Sequence, residues 1–480
     1  MEMDLRNYLS RERLKEKKSQ IKKIFFYRIA GTGMGAAACL MQEKGFFVAG
    51  CDSNFYPPMG DYLKKSKIPL YTMDQVSSDL LKTFDLIIVG NVIGGTSKDA
   101  RFIEQTNVPF ASFPAGLGGL ILDDQNVVAI AGTHGKTTTV YLAMQIFKKL
   151  GFDPGYFIGG VIEGEKSSRL GDGSFFFIEA DEYDSCYFEK FSKFRSYNLT
   201  HMILTSLEFD HGDIFNTIED IKDQFRASLP SLKIVVASSD YPAIRELKDE
   251  FKNLDWKLYG NDSLNGPKII STNTANSTFS LKLGDQDEVF ETNLVGLQNI
   301  LNLSSVILFA FSKNIPVDKL KKSIGDLKMV KRRQEVRGSY KESLVIDDFA
   351  HHPRAVSLTF GSVKQKYPDK DIVVIMEPGS ATARSDIFQE EFLQALYPVD
   401  RVIVAKPPKP TSISSRGNLD CYKMVDGLKE LGKYAAVVEK LDELRAQLDL
   451  LAGPNTLFLV LSNGTCLGLW ESDFVAQLKK

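Results

Sequence analysis

Ala131-Gly132-Thr133-His134-Gly135-Lys136-Thr137-Thr138-Thr139 stands between an apolar run, Val127 to Ala131, and a stretch with helical spacing, Lys136 to Leu150. Strand, glycine loop and helix in that order suit a phosphate: backbone N–H groups and the helix N-terminus meet the anion, and a lysine adds a full charge. The stretch ends in the Gly-Lys-Thr of a phosphate-binding loop, although Ile130 occupies the place of the first glycine and Gly132 follows two residues later. On this reading Gly132, Thr133, His134, Gly135, Lys136 and Thr138 surround the phosphates of a nucleotide, and the Thr137 hydroxyl faces Mg²⁺. A glycine-rich turn carrying a surface lysine is the alternative.

Two acidic segments follow. Phe177-Ile178-Glu179-Ala180-Asp181-Glu182-Tyr183-Asp184 is an apolar strand running into carboxylates, and Glu208-Phe209-Asp210-His211-Gly212-Asp213 follows the expected strand Met202 to Ser206. Either alone reads as a solvated acidic loop. Both at strand ends behind a phosphate loop point to Mg²⁺ and phosphate chemistry. Of the histidines, His134, His211, His351 and His352 fall in such loops, the last two within Asp347-Asp348-Phe349-Ala350-His351-His352-Pro353.

Upstream, Gly31-Thr32-Gly33-Met34-Gly35-Ala36 fits G-x-G-x-x-A after the run Ile24 to Ala30, with a helix expected from about Met34 to Glu43. Asp52 ends the next strand, where an acid reaches a ribose. This loop asks for a nucleotide diphosphate and does not single out a nicotinamide cofactor. Strand-and-helix rhythm restarts at Leu344 to Asp347, Ile372 to Met376, Val402 to Ala405 and Thr456 to Leu461. The Ser-, Thr- and Asn-rich segment 261–293 alternates and is expected to add antiparallel strands to the central sheet. The fold class is therefore α/β, with a charged extension at 1–20 and three domains at 21–125, 126–330 and 331–480.

Composition bounds the partners. Lys plus Arg (59) and Asp plus Glu (61) nearly cancel, so no global field favours nucleic acid or an anionic membrane. No apolar run is long enough for a membrane span, and the charged start lacks the apolar core of a secretory signal. Five scattered cysteines without CxxC spacing suit a reducing cytoplasm and indicate neither zinc nor a disulfide framework.

Taken together, the motifs resemble the Mur ligases, ATP-dependent amide-forming enzymes of peptidoglycan synthesis. GTHGKTT at 132–138, EADE at 179–182, Asp210-His211-Gly212-Asp213, Asn299 with Asn302, Lys331-Arg332-Arg333 and DDFAHHP at 347–353 match in the family's order. The resemblance implies a Rossmann-like first domain, a central ATPase domain and a Rossmann-like C-terminal domain. It implies that Gly31, Thr32, Gly33, Met34, Gly35 and Asp52 bind a UDP-sugar, UDP-N-acetylmuramate. It assigns Asn299, Arg333 and Asp347 to ATP, Thr137, Glu179 and His211 to Mg²⁺, and catalysis to Lys136, Glu179, His211 and Arg333. His352, Arg384, Ser462 and Asn463 fall in the region expected to hold the peptide. Tyr56-Pro57-Pro58-Met59, EADEYD and the segment 208–215 look most like members that accept a recycled tripeptide; L-alanine is the alternative amine.

Departures from the family pattern are specific. Gln298 stands where histidine is usual, and Arg226 replaces the lysine that is carbamylated in some members. Gly379 replaces an arginine, and Thr465 and Leu467 replace glycines. From other classes, a nucleotide-regulated binding protein would not need Glu179, His211 and Arg333, and a dehydrogenase would not need a second phosphate loop.

Overall fold

Alternating apolar runs and amphipathic stretches build three largely parallel sheets in the computed structural model, which describes residues 3–56, 59–159, 166–261, 263, 265–413 and 415–479. Pro57 and Pro58 of the Tyr56–Met59 segment lie outside these residues. The first sheet is five-stranded, in the order Leu70–Thr72, Phe47–Asp52, Lys23–Tyr27, Leu86–Val89, Phe110–Ser112. All its pairs are parallel. The second has seven strands, in the order Asp255–Tyr259, Ile234–Ser238, His201–Leu204, Asn126–Ala131, Phe175–Ala180, Gly155–Phe157, Ser168–Arg169. Only its last pair is antiparallel. The third has six strands, Glu335–Tyr340, Ser343–Asp348, Thr456–Ser462, Asp371–Glu377, Arg401–Ala405 and Tyr434–Val438, the first antiparallel to its neighbour. Val127, Val128, Ala129, Ile130 and Ala131 are all buried, as a central strand covered on both faces requires.

The chain packs into two compact units. One comprises Met1–Glu208, Ile218–Asn265 and Ser305–Ser323, and holds the five- and seven-stranded sheets. The other comprises Phe209–Thr217, Gly266–Ser304 and Ile324–Lys480. Among the described residues, no helix is long and apolar enough to cross a membrane.

Three expectations change. The first strand stops at Tyr27 because Arg28 turns into the left-handed region (φ 70°), where its N–H and that of Ile29 both donate to the Cys51 carbonyl. The helix behind it begins at Thr32, not Met34, with Gly31 as its N-cap, so the glycines lie in the first turn. The segment around 261–293 does not extend the central sheet. Its strands Lys268–Thr272, Ser277–Leu283 and Gln286–Thr292 form a separate antiparallel sheet, since Phe279, Leu281, Leu283 and Phe290 bury one face of a hairpin closed at Gly284.

The charged extension is an integral layer of the first unit. Tyr8 bridges Phe110 in parallel, extending the five-stranded sheet: Leu9 N–H donates to the Phe110 carbonyl (2.9 Å) and Phe110 N–H to that of Asn7 (3.0 Å). Ser10 caps the helix Arg11–Lys17, which buries Leu14 completely. The helix Phe113–Leu120 admits it only because residue 119 is glycine: a Cβ there would stand 2.7 Å from the Arg11 carbonyl oxygen.

Candidate active site

In the seven-stranded sheet, the strand before the phosphate loop lies between the strands that end in Ala180 and Leu204. The loops leaving these three carboxyl ends therefore converge, as α/β ligand sites do. Gly132 has φ 123° and lies so close to the next strand's extension that a Cβ would meet the Ser206 carbonyl oxygen at 2.5 Å. Gly135, also left-handed, is the N-cap of the helix Lys136–Lys149. Segment 205–208 braces the loop. His134 N–H donates to Ser206 Oγ (2.7 Å), Glu208 N–H donates to Thr133 Oγ1 (2.9 Å), and His134 Nε2 is 3.3 Å from a Glu208 carboxylate oxygen. Thr138 is buried in the helix's first turn.

Lys136 folds back over this loop, its ammonium donating to the Gly132 carbonyl (2.6 Å) and to Glu182 (3.0 Å). Burial pulls its pKa down, but the carboxylates of Glu182, Asp181 and Glu179 outweigh burial and hold it well above the ordinary lysine value. Thr137 Oγ1 donates to Glu179 (2.8 Å), whose other oxygen accepts from Gly159 N–H (2.8 Å). Hydroxyl and carboxylate side by side make the hard oxygen set that Mg²⁺ takes.

The Gly31–Gly35 turn opens the helix N-terminus, and a Cβ at Gly31 would meet nothing within 4 Å. Asp52, expected near a ribose, instead accepts the N–H groups of Ala30 (2.8 Å) and Ser53 (2.7 Å), with Arg28 3.7 Å away. It staples the loop before the glycines.

In the second unit, Asp210 is buried beside His211, His351 and His352. Burial raises its pKa, but those imidazoles and the His211 N–H (2.7 Å) outweigh it and hold the carboxyl down at about 2. The segments around 210 and 351 thus come together. His211 adopts a left-handed φ of 56°, which a non-glycine residue holds only when its surroundings enforce it. Asn299 donates its amide to the Val295 carbonyl one turn back (2.9 Å), and Gln298 donates to Asn302 (3.3 Å). Arg226, at the carbamylation position, forks onto Glu250 through two 2.7 Å bonds and serves helix packing.

Arg333 lies over the Phe349 ring, 5.2 Å from its centroid. Its neighbour Arg332, not chosen from sequence as a site residue, makes the longer-range bonds: Nε to Asp347 (3.1 Å), and Nη2 to the carbonyls of Ser462 (2.6 Å) and Gly464 (2.8 Å). Asp347 is fully buried, and its Oδ1 has no hydrogen-bond partner among the described residues. Burial pushes its pKa up to about 6, against the opposing pull of Arg332 and Arg337. A raised carboxyl pKa favours the fold while the group is protonated, and that contribution disappears as pH rises from about 4 through about 6. Relative to Asp347→Asn, the unsubstituted chain should lose on the order of 2–3 kcal/mol of stability over this range. Guanidinium unfolding at pH 4 and pH 7 checks this, and identical pH profiles for the two chains would contradict it.

The region expected to hold the peptide differs from expectation. No helix starts at Ser462-Asn463-Gly464 itself; a single 3-10 turn, Leu469–Glu471, comes five residues later, and a short helix, Phe474–Gln477, follows it. The N–H groups of Cys466 (3.0 Å) and Leu467 (2.8 Å), together with the Ser462 hydroxyl, already donate to Glu377. An internal carboxylate takes the place expected for a substrate's. His352 is a buried N-cap, accepting from Arg354 N–H (3.3 Å) and packed edge-on against Phe388. The Asn463 amide fills the space beside residue 379, where a Cβ would stand 1.8 Å from its Oδ1. This asparagine orientation therefore requires glycine at 379. Asn463 Oδ1 and Arg384 Nε are buried without partners among the described residues.

Residues 130–310 match the Mur ligase middle domain, and residues 332–464 match the Mur ligase glutamate ligase domain. The chain belongs to the Mur ligase family, with that family's three-domain architecture, and is an ATP-dependent ligase forming a carbon–nitrogen bond. Its relatives narrow the class. It is 34% identical, over 95% of its length and 99% of the relative's, to the UDP-N-acetylmuramate–L-alanyl-γ-D-glutamyl-meso-2,6-diaminoheptandioate ligase of Escherichia coli. The enzyme of that name from Haemophilus influenzae is 30% identical over 94% of this chain and 98% of its own. The crystal structure of a murein peptide ligase from Psychrobacter arcticus superposes with a TM-score of 0.66 at 26% identity, covering 95% of this chain and 98% of that one.

Proposed function

We propose that the protein joins UDP-N-acetylmuramate to L-alanyl-γ-D-glutamyl-meso-diaminopimelate in cytoplasmic peptidoglycan recycling, within functional divisions at 21–125, 126–330 and 331–480. The observation that carries this reading is 34% identity to a ligase of that name along nearly the whole of both chains. The site chemistry is consistent with it. The muramate carboxylate attacks the γ-phosphorus of ATP, the bond to the β-phosphate oxygen breaks and ADP leaves, giving an acyl phosphate; the peptide amine then attacks the acyl carbon, gives up a proton, and inorganic phosphate leaves as the amide forms. Two anions must meet in the first step, so positive charge at the phosphates is the principal requirement. Lys136 supplies it, held at the mouth of the loop by Gly132 and Glu182. Thr137 and Glu179 fit Mg²⁺, which when bound neutralises phosphate charge; assigning His211 to it rests on the family resemblance, as do the ATP roles of Asn299, Arg333 and Asp347. The Gly31–Gly35 turn receives the UDP diphosphate, while Asp52 shapes that turn.

Arg384 and Asn463 offer an unpartnered buried donor and acceptor for the peptide. An arginine can bind a carboxylate and an amide oxygen can accept from an ammonium, the two charged groups that an amino-acid centre presents. Competing the tripeptide against L-alanine at equal concentration, with phosphate release and product mass as readouts, tests the assignment. The tripeptide should be incorporated faster. Faster incorporation of L-alanine would keep the activation chemistry and overturn the amine, the outcome that Gly379 in place of arginine would favour.

A further inference from the structure

The acids beside Lys136 do not end in a free loop. Directly after them comes a two-stranded hairpin, Asp184–Cys186 with Glu189–Ser192. Its base holds the acids: Ser192 Oγ donates to the Glu182 carbonyl (2.6 Å), Lys193 N–H to that of Tyr183 (3.0 Å), and Lys193 Nζ to Asp181 (3.1 Å). Its tip is embedded elsewhere. Tyr187 belongs to the core of the five-stranded sheet with Phe25, Ile87 and Phe110, and its hydroxyl donates to buried Glu104 (3.3 Å). The Phe188 ring lies 5.1 Å from both Tyr8 and Phe110.

Between base and tip sits Glu189, 1% exposed. A buried carboxylate has only acceptors to offer, and each oxygen here meets a hydroxyl: Tyr8 at 2.8 Å on one, Ser112 at 2.7 Å on the other. Burial raises its pKa, and the hydroxyl bonds oppose that rise. Tyr8 is delivered by the amino-terminal arm, which is locked to Phe110 by backbone bonds and seated against Gly119. Neither the arm nor Glu189 approaches the phosphate loop in sequence, and the proposed chemistry uses neither.

We infer that the amino-terminal arm is a positioning element of the active site: through Tyr8 and Glu189 it fixes the hairpin that holds Asp181 and Glu182 against Lys136. This rests on the reading of Lys136 and the acids given above. Tyr8 and Glu189 touch no reacting atom; they act on the acids.

The test uses the full chain carrying Tyr8→Phe or Glu189→Ala. A hydroxyl-to-carboxylate bond is lost in the first, so the Mg²⁺ concentration for half-maximal turnover should rise about five- to tenfold. UDP-N-acetylmuramate affinity by calorimetry should stay within about twofold, because the Gly31–Gly35 turn is untouched. Glu189→Ala should be more severe, with Glu189→Gln, which keeps an acceptor, recovering part of the loss. If Glu189→Ala does not fold, Tyr8→Phe decides alone. A lowered unfolding midpoint with unchanged Mg²⁺ response and turnover would make the arm merely structural and overturn the inference. Normal turnover in Lys136→Ala would instead overturn the site reading, whatever Tyr8→Phe does.

Discussion

Lys136→Ala should reduce ligase turnover by roughly 10²-fold or more while leaving the fold intact. The ammonium is bonded to both the phosphate loop and the acid segment, through Gly132 and Glu182. Its value lies in the encounter of carboxylate and triphosphate, where a preorganised charge lowers the barrier without reorganisation. Removing it leaves Glu182 buried and unneutralised by lysine, so a modest fall in unfolding midpoint should accompany the loss. Steady-state turnover with a circular-dichroism melt separates the two. A folded variant with near-normal turnover would mean that this loop does not handle the nucleotide phosphates.

Glu179→Gln should rank second. Glu179 accepts from Gly159 N–H on one oxygen and from the Thr137 hydroxyl on the other. The backbone donor cannot reverse, so a glutamine must turn its amide NH₂ toward Thr137, replacing an anionic oxygen with a donor where a cation is to sit. The Mg²⁺ requirement should rise at least about tenfold and turnover should fall by about 10²-fold. Binding of UDP-N-acetylmuramate should be nearly unchanged, because the Gly31–Gly35 turn belongs to a different sheet. Mg²⁺ titration of turnover alongside calorimetry checks both. Loss of UDP-sugar binding with an unaltered Mg²⁺ response would contradict the layout.

What was legible in the sequence was local. Glycine loops, strand-end acids and the βα rhythm occupy neighbouring positions, and their physics acts between neighbours: Gly132 and Gly135 take left-handed φ values, and Lys136 starts a helix. What was missed acts at long range. Arg332 reaches Ser462 across 130 residues, and Tyr8 reaches Glu189 across 181. No periodicity marks such pairs, and the charged extension at 1–20 carries no motif, its buried apolar contribution being a few side chains such as Leu9 and Leu14. Asp52 shows the converse. Its position suited a ribose acid, yet the left-handed turn at Arg28 brings backbone N–H groups onto its carboxylate. The antiparallel segment was recognised from its alternation, but alternation cannot say which sheet a strand joins, and its hairpin closed on itself.

On the proposed chemistry the carboxylate is activated by phosphoryl transfer before the amine attacks. Turnover of UDP-N-acetylmuramate labelled with ¹⁸O in its carboxylate, in the presence of ATP and the tripeptide, tests it most directly through the mass of the released phosphate. Each released phosphate should carry one labelled oxygen, with the other left in the new amide carbonyl. Unlabelled phosphate, with product formed, would contradict it.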